Sequence, residues 1–439
     1  MKTRGGKQGE RRPRLRFPEF ENARGWEEKA LGTLLSGHPS YGVNAPAVPF
    51  SKDLPAYLRI TDISEDGYFI QGKKASVDII PTEDNYLAEG DIALARTGAS
   101  VGKSYRYRKE DGRLVFAGFL IRVRPNKKKL NSIFLFNFLS TENYLEWVVV
   151  TSSRSGQPGI NGKEYASLPV PIPTHNDALA EQTRIADCLS SLDSLMAAQT
   201  QKLDALRSHK RGLMQQLFPT EGESTPRLRF PEFEDAGDWE EKRISDLKPF
   251  VTSGSRGWAA YYSASGDLFV RITNLTRSSI YPNLSDPKYV NLPQEASEGV
   301  RTQLMEHDVL VSITADIGII GYIDNNFPTP AYINQHIALI RFKSSQVSGK
   351  FISYFLASDK SQRSFDTSTD SGTKAGMNLT TIQSIQIPLP TLPEQTRIAD
   401  CLASLDALIA AHSDKRAELK TFKRGLMQQL FPVPVEGEE

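Results

Sequence analysis

Two short patterns of acidic residues followed by lysine are the part of the sequence that most suggests catalysis. Glu27-Glu28-Lys29 follows Pro18-Glu19, and Glu240-Glu241-Lys242 follows Pro231-Glu232. Spaced carboxylates with a Glu-x-Lys sequence can hold Mg²⁺ while the lysine assists an attacking water. Each pattern lies in a linker rich in Pro, Glu and Arg, where no buried strand would fix the carboxylates. We therefore predict no catalytic residue and no metal site, and keep an autonomous DNA-cleaving enzyme as the alternative hypothesis.

Basic residues interleaved with tyrosines indicate a surface that binds phosphates. Between Asp91 and Lys129 there are 11 basic and 3 acidic residues, a local net charge of +8. Within this segment Lys103, Tyr105 and Tyr107 alternate with Arg106 and Arg108. Lys103, Arg106 and Arg108 are the DNA contacts predicted here. On a strand this alternation places the arginines on one face and the tyrosines on the other, so the arginine face could contact phosphates. A solvated pair of strands remains the alternative.

Two glycine-rich polar loops offer side chains that can read base edges. The loops are Ser152–Tyr165 and Ser368–Leu379, and a third short segment, "SGSRGW", begins at Ser253. Arg, Lys, Asn and Gln are the side chains that hydrogen-bond to bases in the major groove. An ordinary turn explains any one loop, but their occurrence in two separate blocks favours binding. The predicted contacts in these loops are Arg154, Gln157, Asn161, Lys163, Arg256, Lys374 and Asn378.

The composition excludes several classes of protein. The chain has 53 basic and 52 acidic residues, so a nucleic-acid surface must come from local placement of charge. No apolar run is long enough to span a membrane, and the basic N-terminus lacks the apolar segment of a secretory signal. We find no glycine-rich strand–turn–helix signature for a nucleotide-like cofactor. A cytoplasmic protein without a membrane partner is expected.

An internal repeat organises the chain. "KRGLMQQLFP" stands at Lys210–Pro219 and again, 213 positions later, at Lys423–Pro432. The same offset relates Pro13–Glu21 to Pro226–Glu234, both "PRLRFPEFE". Strand and turn patterns fill the variable blocks, and helical patterns fill the retained ones. The predicted segments are a basic tail and lead-in (1–22), a first variable domain (23–173), a long helix (174–219), a linker (220–235), a second variable domain (236–390), a second long helix (391–432) and a tail (433–439).

The two long helices carry an apolar seam with heptad spacing. Capping-box pairs at Thr174 with Asp177 and at Thr391 with Glu394 predict where they start. Helices of this length need a partner along the seam, and we predict that the two copies pair antiparallel as a coiled coil. Packing of each helix on its own domain is the alternative. The predicted seam, which also serves partner contact, consists of Ile185, Leu189, Leu192, Met196, Leu203, Leu206, Leu213, Leu217, Ile398, Leu402, Leu405, Ile409, Leu419, Leu426 and Leu430.

Taken together, these segments resemble the DNA specificity subunits of type I restriction–modification systems, over nearly the whole chain. The resemblance rests on "LPEQTRIADCLASLD" at Leu392–Asp406, its counterpart at Ala180–Asp193, both "KRGLMQQLFP" ends and "RTGASVGK" at Arg96–Lys103. "SGSRGW" followed by "FVRITNLT" at Phe269–Thr276 is similar to the target-recognition domains of the family. The first helix start departs from the pattern, with "HNDALAEQ" in place of "LPEQ". These motifs add Arg96, Thr97, Ser100, Arg271 and Asn274 to the predicted DNA contacts.

The resemblance also implies a fold and a set of partners. The expected fold is α+β, with two globular α/β target-recognition domains separated by the antiparallel helices in a pseudo-two-fold repeat. Each domain would bind half of a bipartite site in double-stranded DNA and so direct adenine methylation and restriction. The implied partners are two modification subunits and the restriction subunits. S-adenosylmethionine, ATP and Mg²⁺ are expected on those partners, with no cofactor on this chain.

Overall fold

The structure, a computed structural model, describes residues 11–153, 157–293, 297–343, 345–368 and 376–432. These residues form two compact units. Unit 1 comprises the described residues up to Gln199 and those from Lys415 onward, and unit 2 comprises Thr200–Asp414. Each unit combines strands and helices, so the α+β class expected from the sequence is confirmed.

Unit 1 contains short strands and helices. The strands are β1 (Trp26–Ala30), β2 (Ser40–Tyr41), β3 (Ala47–Pro49), β4 (Ala56–Leu58), β5 (Ala75–Val77), β6 (Ile92–Ala95), β7 (Ser104–Arg106), β8 (Leu114–Phe116), β9 (Leu120–Val123) and β10 (Pro169–Pro173). The helices are α1 (Ser132–Phe138), α2 (Glu142–Ser152), α3 (Gly162–Ser167) and the first part of α4 (Ala178–Leu217). The sheet orders are β2-β9-β6-β7, β3-β5-β4-β8 and β1-β10.

Unit 2 repeats this architecture. Its strands are β11 (Glu240–Arg243), β12 (Phe250–Ser253), β13 (Tyr262–Ser263), β14 (Asp267–Val270), β15 (Tyr289–Val290), β16 (Val309–Ser312), β17 (Ile320–Tyr322), β18 (Ala331–Ile333), β19 (Ile337–Arg341) and β20 (Gln386–Leu389). Its helices are α5 (Ser297–Thr302), α6 (Gly349–Leu356), α7 (Asp359–Ser368), α8 (Leu379–Ser384) and the first part of α9 (Leu392–Leu430). The orders β12-β19-β16-β17, β13-β15-β14-β18 and β11-β20 match unit 1 strand for strand.

The central strands explain why such different sequences form the same sheets. β6 and β16 are buried at every position and pair antiparallel on both sides. Continuous apolar runs of this kind fit strands that are covered on both faces. β4 with β8 and β14 with β18 form the parallel pairs of the second sheets. The variable blocks therefore keep a fold through burial rather than through sequence identity.

The two helix starts predicted from capping boxes have different outcomes. α9 begins at Leu392, directly after Thr391, as predicted. α4 begins at Ala178, and the hydroxyl of Thr174 donates instead to the carbonyl of Gly25 at 2.7 Å. The carboxylate of Glu394 does not serve as a cap either, because it accepts hydrogen bonds from Arg229 and Trp239. The start at Thr391 was therefore predicted correctly, although its acidic residue forms an ion pair with Arg229.

Antiparallel pairing of the long helices is confirmed within each unit. In unit 1, Lys423 Nζ lies 2.7 Å from Asp193 Oδ1, and Ile185 and Leu189 share a core with Leu430. Residue numbers rise along α4 as they fall along α9, so the helices run in opposite directions. In unit 2 the equivalent pair is Lys210 Nζ to Asp406 Oδ1 at 2.6 Å, and Leu217 shares a core with Ile398 and Leu402.

None of the predicted seam residues is exposed. The buried ones are Ile185, Leu189, Leu203, Leu217, Ile398, Leu402 and Leu430. The half-buried ones are Leu192, Met196, Leu206, Leu213, Leu405, Ile409, Leu419 and Leu426. Met427, outside the predicted set, is also buried in the unit 1 core.

The repeated lead-in is a structural part of each unit. Arg16 holds the buried carboxylate of Glu181, with Nε 2.7 Å from Oε1. Arg229 holds Glu394 at the same distance in unit 2. Each arginine comes from "PRLRF" and each glutamate from "EQTRIADCL", so both retained segments are needed to complete one ion pair.

Candidate nucleic-acid interface

Three segments of unit 1 meet beyond the end of β6 and are joined by backbone hydrogen bonds. Arg96 N–H donates to the carbonyl of Phe119 at 3.1 Å, and the Arg96 carbonyl accepts from Ile160 N–H at 2.9 Å. Gly98 N–H donates to the carbonyl of Pro158 at 3.0 Å. We term residues 96–102, 117–119 and 157–161 the loop frame of unit 1.

Unit 2 builds an equivalent loop frame from residues 313–318, 334–336 and 376–377. Ile313 N–H donates to the carbonyl of His336 at 2.9 Å, and the Ile313 carbonyl accepts from Met377 N–H at 2.9 Å. These two bonds correspond in order and direction to those made by Arg96. The backbone is therefore repeated, whereas the side chains on it are different.

Isolated β-bridges complete the correspondence between the two loop frames. Thr97 forms an antiparallel bridge with Gly159, and Thr314 forms one with Gly376. Each bridge joins the first segment of a frame to its third segment. The first segment, which carries Arg96 or Ile313, is thus bonded to both other segments in each unit.

Glycine is required at one equivalent position of each loop frame. Gly102 has φ +87° and Gly318 has φ +83°, a left-handed conformation that side chains rarely adopt. A Cβ at Gly102 would lie 2.8 Å from Val148, and one at Gly318 would lie 2.6 Å from Phe365. This constraint accounts for the retention of these glycines in otherwise divergent loops.

Arg96 has the most distinctive electrostatic environment in the unit 1 frame. Its guanidinium carbon lies 4.9 Å from the centroid of the Tyr41 ring, and Nη1 donates to the Gly118 carbonyl at 3.5 Å. Its Nε is buried and has no hydrogen-bond partner within the described residues. A buried donor without a partner costs about 1–3 kcal/mol.

The strand predicted to face phosphates is partly withdrawn from solvent. Tyr105 and Tyr107 are buried, whereas Arg106 and Arg108 are half-buried. Burial lowers the pKa of Arg106, and the positive charge of Arg108 lowers it further. The Arg108 guanidinium lies 3.9 Å from the centroid of the Tyr68 ring. Contact of these arginines with DNA stays a prediction.

The basic segment carries less free charge than its sequence indicates. Lys103 Nζ lies 2.8 Å from Glu65, and Arg113 lies 2.8 Å from Glu83. Both glutamates come from outside the segment, so counting charges between Asp91 and Lys129 did not include them. The local excess of positive charge is real but smaller than the sequence count.

The predicted contacts of the first polar loop divide into two groups. Gln157 and Lys163 are exposed. Thr97 and Ser100, which were predicted from the motif at Arg96–Lys103, are half-buried within the loop frame. The side chain of Asn161 instead caps α3, accepting from the backbone N–H groups of Lys163 at 2.9 Å and Glu164 at 3.0 Å. Arg154 lies outside the described residues.

Unit 2 shows the same division among its predicted contacts. Arg256 is exposed, whereas Asn378 caps α8 by accepting from Thr381 N–H at 2.8 Å. Asn274 is buried and accepts from the Arg271 N–H at 2.9 Å. The Arg271 guanidinium is bound to Asp286 at 2.8 Å, and Lys374 lies outside the described residues.

Three side chains at the loop frames were missed by sequence reasoning. Phe119 is 61% exposed and Tyr41 is 49% exposed, while His336 is half-buried at the position equivalent to Phe119. Charge and motif searches do not select aromatic residues in turns. Only the repeated backbone contacts reveal that Phe119 and His336 occupy one structural position.

The two Glu-x-Lys patterns lie on strands and not in the linker expected from the sequence. β1 and β11 carry them and pair with β10 and β20. Lys29 pairs with Glu27 at 2.7 Å and Lys242 with Glu240 at 2.9 Å, so each lysine is paired with the first glutamate of its own pattern. Over the described ranges, no three His, Cys, Asp or Glu residues are grouped so that they could hold a metal ion.

In the part of the chain that the structure describes, no helix combines the length and the apolar character that crossing a membrane requires.

Comparison with known families decides the identity of the fold. The model of the type I restriction modification DNA specificity domain matches residues 52–208 and again residues 236–421. The two matches cover more than half of the chain. The chain belongs to this family. It is a DNA-binding specificity subunit of a type I restriction–modification system, as the repeat and its motifs indicated.

Individual relatives agree with this assignment. The type I restriction enzyme MjaVIII specificity subunit of Methanocaldococcus jannaschii is 23% identical over 425 residues, covering 95% of this chain and 93% of its own. The crystal structure of a type I restriction–modification S subunit from M. genitalium shares the fold, with a TM-score of 0.57 and 14% identity over 96% of this chain and 99% of that chain. A chain from a study of assembly and conformational transition of the type I R-M system has a TM-score of 0.52 and 18% identity, covering 93% and 97%.

Proposed function

We propose that the two units of this specificity subunit each read one half of a bipartite site in double-stranded DNA. The observation that carries the proposal is the pair of loop frames. Arg96 and Phe119 in unit 1 take the places of Ile313 and His336 in unit 2, with the same backbone hydrogen bonds. Equal frames with unequal side chains would present two different hydrogen-bonding patterns to base edges, which is what two unlike half-sites require.

The subunit would direct chemistry that its partners perform. We infer that it directs adenine methylation and restriction in the cytoplasm, and that it has no catalytic role of its own. S-adenosylmethionine, ATP and Mg²⁺ would be bound by modification and restriction subunits. Support for this division comes from the Glu-x-Lys patterns, whose lysines pair with their own glutamates at 2.7 and 2.9 Å.

Two modification subunits would bind through identical faces of the long helices. Arg184, Asp187, Ser191 and Leu195 are exposed on α4, and their spacing of three, four and four residues places them on one helical face. We term these four residues, with their identical and equally exposed counterparts Arg397, Asp400, Ser404 and Leu408 on α9, the outer stripes.

Identity of the outer stripes is not required by helix packing. The buried Leu203 of α4 corresponds to the exposed Arg416 of α9, so the two helices differ even at a core position. Arg184 and Arg397 also form equivalent internal ion pairs, with Glu19 and Glu232. The identical, exposed Leu195 and Leu408 are more simply explained by an external contact made twice. Two copies of one modification subunit satisfy that requirement.

An exchange of domains tests bipartite reading. Residues 23–173 are replaced by the corresponding domain of another specificity subunit, and methylated adenines are mapped in cells that carry the modification partner. One half of the recognised site should change and the other should not. The matched variant, with residues 236–390 replaced, should change only the other half. A change of both halves by either exchange would contradict the proposal.

A further inference from the structure

The turn between β8 and β9 presents an aromatic side chain to solvent. Phe119 is 61% exposed, although its neighbours Ala117 and Leu120 are buried. The Leu120 N–H donates to the Ala117 carbonyl at 2.8 Å, and the Phe119 carbonyl accepts from Arg96. The backbone of the turn is therefore fixed, and the ring is held outward from it. Burial in the core does not account for a phenylalanine at this position.

The surroundings of Phe119 are suited to a base pair. Arg96, which is bonded to the Phe119 carbonyl, carries the buried Nε without a partner among the described residues. Tyr41 lies against the Arg96 guanidinium and is 49% exposed. The Tyr41 hydroxyl accepts from Gly162 N–H at 3.0 Å, which fixes the ring. Arginine can donate to a purine edge and phenylalanine can contact a thymine methyl group, so Arg96 and Phe119 on bonded backbone segments can serve neighbouring positions of a base pair.

The equivalent turn in unit 2 presents a hydrogen-bonding ring. The Ile337 N–H donates to the Asn334 carbonyl at 3.1 Å, as Leu120 does to Ala117. His336 contacts the Thr314 hydroxyl through Nδ1 and lies 3.0 Å from Gln335 through Nε2. The imidazole is thus oriented by two polar neighbours. Unit 2 replaces an apolar group by a polar one at a position whose backbone contacts are unchanged.

We propose that Phe119 and His336 are equivalent specificity-determining residues. Phe119 makes apolar contact with the C5-methyl group of a thymine in one half-site. In the other half-site His336 exchanges its Nε2 contact with Gln335 for a hydrogen bond to a base edge. The inference rests on the proposed reading of one half-site by each unit. The inference adds a determinant outside the polar loops. The residue in the turn between β8 and β9, or in the equivalent turn of unit 2, determines part of the difference between the two recognised sequences.

The test removes the methyl group from the DNA and the ring from the protein. The complex assembled with its modification subunits is titrated with duplexes that carry its mapped site, in which each thymine of one half-site is replaced by deoxyuridine. Domain exchange first assigns the half-sites to the units. At one thymine of the unit 1 half-site, deoxyuridine should weaken wild-type binding about four-fold, the value expected for one buried methyl group.

The Phe119→Ala complex should bind the thymine duplex more weakly and show no further loss with deoxyuridine. Phe119→Leu, which keeps an apolar group, should retain part of the discrimination. His336→Ala is the matched control and should leave discrimination at the unit 1 half-site unchanged while weakening discrimination in the other half. An unchanged thermal midpoint of Phe119→Ala confirms that folding is not the cause.

Two results would overturn the inference. One is a Phe119→Ala complex that discriminates thymine from deoxyuridine as the wild type does, and the other is a wild type that shows no effect of deoxyuridine at any thymine of the unit 1 half-site. Either result leaves bipartite reading intact if domain exchange changes one half-site at a time. If domain exchange changes both halves, bipartite reading itself fails, so the two failures are distinguishable.

Discussion

Arg229 binds the carboxylate of Glu394 with two hydrogen bonds, from Nε to Oε1 at 2.7 Å and from Nη2 to Oε2 at 2.8 Å. The Glu394 side chain is 0% exposed and that of Arg229 is 11% exposed. Arg16 and Glu181 form the same two bonds in unit 1. Because each pair joins two repeated segments, the ion pair explains why both segments are retained.

Removing one member of this pair should destabilise unit 2. Arg229→Met leaves the buried Glu394 carboxylate without its charged partner, and we expect a loss of about 3–5 kcal/mol. Hydrogen exchange of residues 392–402 measures this locally, since a protein of two units has no single free energy of unfolding. Replacing both Arg229 and Glu394 by Met should restore much of the protection of residues 392–402 against hydrogen exchange.

The matched control lies in the same unit. Arg397 pairs with Glu232 at 3.0 Å, with side chains 51% and 48% exposed. Arg397→Met should change stability by less than about 1 kcal/mol because exposed ion pairs contribute little. Equal loss of protection in Arg397→Met and Arg229→Met would show that burial of the carboxylate is not the cause.

Phe431, in the second "QQLFP", is expected to stabilise unit 1. Its ring centroid lies 5.0 Å from that of Phe134, 6.0 Å from Phe138 and 6.4 Å from Trp26. Phe431→Ala should cost about 3–5 kcal/mol, as is usual for a buried aromatic residue. Loss of exchange protection in α1 measures the effect. Phe422→Ala is the control, since Phe422 is 59% exposed, and similar losses in both variants would contradict the packing argument.

The helical part of the fold could be predicted because its signal is local. The seam recurs at heptad spacing, and Pro219 and Pro432 follow the two long helices. The spacing of apolar residues within one helix can be read from a single segment. The sequence therefore predicted that the two long helices pair and that they run antiparallel. The identical lead-in segments could also be found in the sequence, but the ion pair formed by Arg16 could not be predicted. Its partner Glu181 lies 165 positions away, and no local pattern records such a contact.

The loop frames could not be predicted for a related reason. Arg96, Phe119 and Ile160 meet through backbone atoms, and backbone hydrogen bonds leave no residue type to search for. Asparagine adds a second difficulty, because it is suited both to reading adenine and to capping a helix. Asn161 and Asn378 cap helices, so residue type alone overestimated the number of free polar side chains.

The Glu-x-Lys patterns should be dispensable for activity. Lys242 pairs with Glu240 at 2.9 Å, and the Glu240 side chain is 69% exposed. Replacing both residues by Ala removes an exposed ion pair worth at most about 1 kcal/mol. Methylation and cleavage by the assembled complex should stay within a few-fold of the wild type. Loss of cleavage with assembly and DNA binding intact would support the alternative of an intrinsic nuclease.

Leu195 and Leu408, in the outer stripes, should control how many modification subunits bind. They are 52% and 49% exposed, and a buried leucine contributes about 1.5–3 kcal/mol. Replacement by Glu also places a charge in an apolar contact, so we expect loss of the affected subunit. Native mass spectrometry should find two modification subunits on the wild type, one on each single variant and none on the double variant.

The controls are Ser194→Glu and Ala407→Glu, because these exposed neighbours differ between the copies and so carry no sign of a shared contact. Both controls should retain two subunits. A double variant that still binds two modification subunits would show that the outer stripes are not the docking surface.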